Sequence, residues 1–204
     1  MPISFGRRSR LITLAAGVAA AAAVALATSG TALADTADTG GTAAISMPQA
    51  FVTSLGKSQI ILFAGAPATS SYATGTDTHA LTVTGGNGEV STFSGIVDLG
   101  GTLVVVNAAN GKTATVSNIE LNFYTGALTA QVSGSTAQIA LAYLGGNLSE
   151  SSNPGPPATE TFSADQLSLS GKAARALNAA LGSTAFKRGS ALGGFTTTFD
   201  VTIS

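Results

Sequence analysis

His79 is the only imidazole in the chain, and Tyr72, Tyr124 and Tyr143 are its only phenols. A neutral imidazole nitrogen can ligate a metal or take a proton near neutral pH. A tyrosine phenolate can ligate ferric haem. These four residues are the haem-binding candidates. Each also has a plainer reading. His79, in TDTHA at 76–80, reads as a surface histidine at a loop-to-strand junction, and each tyrosine as a half-buried ring at a strand end.

The rest of the inventory is thin. The absence of Cys excludes a disulfide framework, a Cys-ligated metal centre and a cysteine nucleophile. One histidine offers no ligand cluster, so no metal site is expected. No Gly-x-Ser-x-Gly marks a nucleophile elbow, and a serine triad would have to draw on His79. The acids Asp77, Glu89, Asp98, Glu120, Glu150, Glu160, Asp165 and Asp200 are scattered along the sequence. A pair of carboxylates can cleave glycosides, but the chain has no Trp and few Tyr to stack on a sugar. GGNG at 85–88 lacks the lysine and the strand–loop–helix context of a phosphate loop and reads as a turn. No catalytic residue is assigned, and the chain is not expected to be an enzyme.

Strands must position these residues. QIILF at 59–63 is a short apolar run, and ALTVT at 80–84 alternates. Residues 90–99 read as a strand with Phe93, Val97 and Leu99 on one face. TLVVV at 102–106 is apolar on both faces, with Gly100-Gly101 before it as a tight hairpin turn. Asn110-Gly111 and Thr125-Gly126 signal further turns. Between 113 and 123 the apolar positions change parity, from Ala114 and Val116 to Ile119, Leu121 and Phe123. A strand cannot change faces without an extra residue, so a bulge is predicted at Ser117-Asn118. LTAQV at 128–132 is the next strand. Residues 138–144 place Ile139, Leu141 and Tyr143 on one face. The final run alternates Phe195, Thr197, Phe199, Val201 and Ile203 with polar residues.

One or two helices are predicted. One spans 171–181, with Ser170 as N-cap and Gly182 as stop. A shorter one covers 48–56 with Phe51, Val52 and Leu55 inward. Many short strands and few helices predict a mainly β fold, an antiparallel β-sandwich with one or two short helices. One domain is expected over 45–204. It carries a low-complexity stretch at 65–78 and a long Pro-containing surface loop at 145–161.

The N-terminus carries an address. Arg7, Arg8 and Arg10 precede an Ala-rich apolar run to Ala27, and Ala32-Leu33-Ala34 follows. This is the layout of a secretory signal peptide over 1–34, cleaved after Ala34, with residues 35–44 as a flexible leader. The apolar run of about 17 residues is at the short end for a membrane span. No second hydrophobic segment follows Ile203, so release from the cell is expected, without stable membrane insertion. Beyond Ala34, Lys57, Lys112, Lys172, Arg175, Lys187 and Arg188 face ten acids. Charged residues make up 9% of the chain, against roughly 25% in an average soluble domain. A mildly acidic, charge-poor surface argues against nucleic acid and anionic lipid as partners.

The stretch 80–199 resembles the HtaA domain, a secreted or surface domain of actinobacteria associated with haem uptake. The residues that carry the likeness are LTVTGG at 81–86, FSGIVD at 93–98, GGTLVVVN at 100–107, VSNIEL at 116–121, GALTAQV at 126–132, LSLS at 167–170, AARALN at 173–178 and FKRG at 186–189. The resemblance implies a β-sandwich with short helices, haem as cofactor, and haem or envelope proteins as partners. It also implies a ligand tyrosine early in the domain and a histidine just before the paired glycines. Residues 45–63 contain no Tyr, and Leu99 stands before Gly100-Gly101, so this is a divergent member without the usual ligand positions. Two functions follow. One is haem binding or haem relay at the cell envelope. The other is a non-enzymatic structural or interaction protein of the envelope or matrix that has lost haem ligation.

Overall fold

The computed structural model describes residues 38–133 and 135–202. The expected signal peptide, its cleavage site and Ile203 lie outside them. The chain order is β1 (Asp38–Pro48), α1 (Gln49–Lys57), β2 (Ile60–Gly65), β3 (Thr69–Ala73), β4 (Thr76–Gly86), β5 (Ile96–Gly100), β6 (Thr102–Asn107), β7 (Lys112–Asn122), β8 (Ala127–Val132), β9 (Ile139–Asn153), β10 (Ala158–Leu169), α2 (Gly171–Leu181) and β11 (Ala191–Val201).

The fold is mainly β, but it is a barrel and not a sandwich. Eight antiparallel strands close in the order β7-β5-β4-β1-β11-β10-β9-β8, and the β7–β8 pairing seals the ring. A sandwich and a barrel both bury alternate residues of every strand. Only the pairing of first strand with last separates them, and no residue pattern announces that pairing. Phe162, Phe195 and Phe199 fill the interior with Ile45, Leu81 and Leu121.

Several segments differ from the sequence expectation. Most of the supposed leader at 35–44 is β1, paired with β11 on one edge and β4 on the other. Small Thr, Ala and Gly residues look flexible alone, but two neighbouring strands order them. The stretch at 65–78 contains β3 and the start of β4. Residues 90–95 are a turn bridged by Glu89 and Ser94, and the strand begins at Ile96. Phe93 there has φ +53°, outside the extended region. The expected loop at 145–161 is the outer part of the β9–β10 hairpin, paired from Ser149–Ser163 to Asn153–Thr159. Its prolines sit at the tip, where no ladder donor is needed.

The predicted bulge is present. Asn118 adopts φ +49°, and the β7–β8 register shifts between Ser117 and Glu120. Helix α2 also stands as expected. The Ser170 hydroxyl accepts from the Ala173 N–H at 3.0 Å, and Gly182 ends the helix at φ +58°. Such a cap satisfies one of the donors that a helix start leaves open. Among the described residues, no helix is long and apolar enough to cross a membrane.

Candidate functional site

Gly100 and Gly101 do not turn the chain. β5 and β6 run on along the same β7 edge. On their other side β5 pairs with β4, whereas β6 pairs with β2. The sheet therefore splits at the two glycines into a β4 branch and a β2 branch. Gly101 has φ +108°, and a Cβ there would stand 2.5 Å from the Ala68 Cβ. Only glycine lets the β2–β3 connection approach this closely.

The seam between the branches holds the sole histidine. His79 lies on β4, directly opposite Ser70 of β3 and Ile45 of β1. It is 0% exposed, which corrects the surface reading: it sits in the interior row with Leu81 and Val83. Asp77 shares that row, because residues two apart on a strand face the same way. The Ala64 N–H of β2 donates to Ser70 Oγ at 2.8 Å, and Ser70 Oγ lies 2.8 Å from His79 Nδ1. Both bonds are satisfied when Ser70 gives its proton to Nδ1, which leaves the imidazole hydrogen on Nε2. Nε2 has no hydrogen-bond partner among the described residues; its nearest acid is Asp77 Oδ2 at 3.6 Å. Burial pushes the proton affinity of His79 below its ordinary value, and the Asp77 charge only partly opposes this. The imidazole is thus a neutral brace. Ser70, His79 and Asp77 approach a nucleophile–base–carboxylate arrangement, but the serine oxygen is engaged in tying β2 to β4.

Beside this brace lies a cleft of about 290 Å³, walled by Met47, Val52, Leu55, Ile60 and Leu62, with Asp77 as its charged group. Helix α1 supplies Val52 and Leu55 to it, and Phe51 and Val52 are half-buried against the core. A larger groove of about 720 Å³ runs along the C-terminal end of α2, near Ser54, Asn107, Asn178 and Lys187. Its amides are committed to the fold. Asn107 Nδ2 donates to the Leu181 carbonyl at 3.0 Å, and Asn178 makes two bonds with the Phe186 backbone.

The four candidates do not converge on one site. Tyr72 is 65% exposed and is the cross-strand partner of Asp77. Directly opposed residues share a face, so the phenol and the Asp77 carboxylate stand on the same side of the β3–β4 ladder. Tyr124, 70% exposed, follows β7 at the opposite end. Tyr143, 50% exposed, pairs with Ala127 at the start of β8. Tyr72 and Tyr124 are more exposed than the half-buried rings expected, Tyr143 is half-buried, and His79 is sealed. Leu99 is buried in the core.

Sequence reasoning passed over Ser70 and Asp38. The partner role of Ser70 depends on the β3–β4 register, which nothing in TSSYA reveals. Asp38 was hidden in the supposed leader. Asp77-x-His79 was legible as an i, i+2 pair on one strand face.

No family model matches the chain, and no curated protein matches it. The fold is similar to the crystal structure of the C-terminal domain of HtaA from Corynebacterium glutamicum, with a TM-score of 0.59 and 16% identity. The similarity covers 82% of this chain and 99% of that domain. At this identity the likeness is one of fold.

Proposed function

We propose that this chain is a secreted, non-enzymatic binding module of HtaA type that carries or relays haem at the cell envelope. Tyr72 is the residue placed to ligate iron, and the α1–β2–β4 cleft takes an apolar edge of the porphyrin. The observation that carries this reading is the position of Tyr72: an exposed phenol on the same ladder face as Asp77, which lines an apolar cleft. Phenolate ligation suits ferric haem. The cleft lies at the lower limit of small-molecule pockets, about 300–1,000 Å³, so a flat ligand would be held by one edge and left open for transfer. His79 does not fit the ligand role, since no face of its ring reaches solvent. The fold likeness to the HtaA domain supports the class of protein.

One observation favours the second reading, a structural or interaction protein of the envelope or matrix. Phe162, Phe195 and Phe199 lie fully buried in the barrel core. The two readings separate in a haemin titration of the purified chain followed near the Soret band. Haem carriage predicts a shifted band that saturates at one equivalent and weakens in Leu62→Asp, which puts a charge in the cleft. A spectrum equal to free haemin plus protein would leave the structural reading.

A further inference from the structure

The acids scattered in sequence gather in space. Asp38 opens β1, Asp98 lies in β5, Glu120 near the end of β7, Glu150 in the outer part of β9, Glu160 near the start of β10 and Asp200 near the end of β11. The antiparallel order brings all of these to one end of the barrel, together with Glu89 in the loop after β4. The described cations lie toward the other end: Lys57 in the last turn of α1, Lys112 at the start of β7, and Lys172, Arg175, Lys187 and Arg188 on or just after α2. Among the described residues, no Lys or Arg forms an ion pair with any of these acids.

Two of the acids hold the same short loop. Asp38 Oδ2 accepts from the Gly88 N–H at 2.9 Å, and Glu160 Oε2 accepts from the Val90 N–H at 2.7 Å. Two residues of backbone span at most about 7 Å, so the two carboxylates grip neighbouring points of one segment. Phe93, on the same loop, packs edge-on against Phe123 and Phe162 at 5.1 and 5.4 Å between ring centres. The loop is therefore fastened over the acidic end by an aromatic wedge and two anionic clasps.

Each clasp uses one oxygen and leaves the other. Asp38 is 4% exposed, and its Oδ1 has no hydrogen-bond partner among the described residues. A buried carboxylate without a counter-charge costs several kcal/mol. Burial raises the Asp38 pKa to about 6; the Gly88 N–H opposes this, and the Glu160 and Asp98 charges add to it. Glu160 is raised as well, first by burial and then by Glu89 and Glu150. The common need is positive charge at the unpaired oxygen.

We propose that the loop-covered end of the barrel binds a hard divalent cation, calcium, with Asp38 Oδ1 and the free oxygen of Glu160 as its carboxylate donors. Calcium takes oxygen ligands from carboxylates, backbone carbonyls and water in flexible geometry. Among the described residues no three acidic or histidine side chains converge, so backbone carbonyls and waters complete the shell. The cation would neutralise both clasps and hold the loop closed at neutral pH.

The test is calcium titration of the chelator-treated full chain at pH 7.5, read by calorimetric binding and by the thermal midpoint. The expected result is one saturable site, a rise in midpoint, a weaker response to magnesium and loss of both signals in Asp38→Asn. Glu160→Gln should weaken binding at least tenfold, which keeps the test open if Asp38→Asn fails to fold. Asp200→Asn should leave the response unchanged. The proposal is overturned if calcium neither binds nor moves the midpoint; a rise on acidification to pH 5 that Asp38→Asn removes would then show that protons alone neutralise the clasps.

Discussion

The two ends of the barrel bury a titratable group in opposite ways. At the helix end, His79 is neutral, and one serine joins its Nδ1 to the backbone of another strand. At the loop end, Asp38 accepts one backbone N–H and keeps a second oxygen unpartnered among other acids. An imidazole can shed its charge and stay a hydrogen-bonding group, so burial only lowers its proton affinity. A carboxylate sheds its charge only by taking a proton, so burial raises its affinity. The same physics makes one site a quiet brace and the other a place that calls for a cation.

Damage to the aromatic packing beneath the loop should be the largest effect. Phe162→Ala removes the ring that meets Phe93 and Phe123, and should cost about 4 kcal/mol in denaturant unfolding. The next effect has the opposite sign. Asp38 has its folded pKa raised from 3.8 to about 6. Its contribution to stability is therefore fullest below pH 3.8 and is lost as pH rises through 6. In metal-free buffer at pH 7, Asp38→Asn should gain up to about 3 kcal/mol, from 1.36 kcal/mol per pKa unit, while keeping an acceptor for Gly88. A variant that is no more stable than the wild type would show that the carboxylate is already compensated.

His79 supplies the contrasting slope. Its folded affinity is lowered from 6.5, so its contribution is present above pH 6.5 and is lost as pH falls below it. Where the two ranges overlap, below pH 6, the groups oppose each other. Stability against pH should show the histidine slope in Asp38→Asn and the aspartate slope in His79→Gln. Ser70→Ala leaves Nδ1 and the Ala64 N–H unpaired and should cost about 2 kcal/mol. The smallest effect is Ser170→Ala, about 1 kcal/mol for loss of the α2 cap.

Local rules carried well into the structure. The cap at Ser170, the stop at Gly182 and the bulge at Asn118 each follow from a few adjacent residues, and each stands where those residues placed it. Gly100-Gly101 is no hairpin turn: paired glycines serve a hairpin or a close approach equally well, and only the position of Ala68 distinguishes them. The order of 38–44 and of the β9–β10 hairpin comes from neighbouring strands more than a hundred residues away in one case, beyond any local signal. The site was half legible. Asp77 and His79 could be set on one face, but the burial of His79 and its link to Ser70 depend on how β2 and β4 part at the seam.

The account places haem at the helix end, and the tyrosines allow that to be tested directly. The measurement is a haemin titration of Tyr72→Phe beside Tyr124→Phe and Tyr143→Phe, followed by the Soret band. Tyr72→Phe alone should lose the shifted band of the wild type, with the other two variants unchanged. A full band in Tyr72→Phe, or its loss in Tyr124→Phe or Tyr143→Phe, would contradict it.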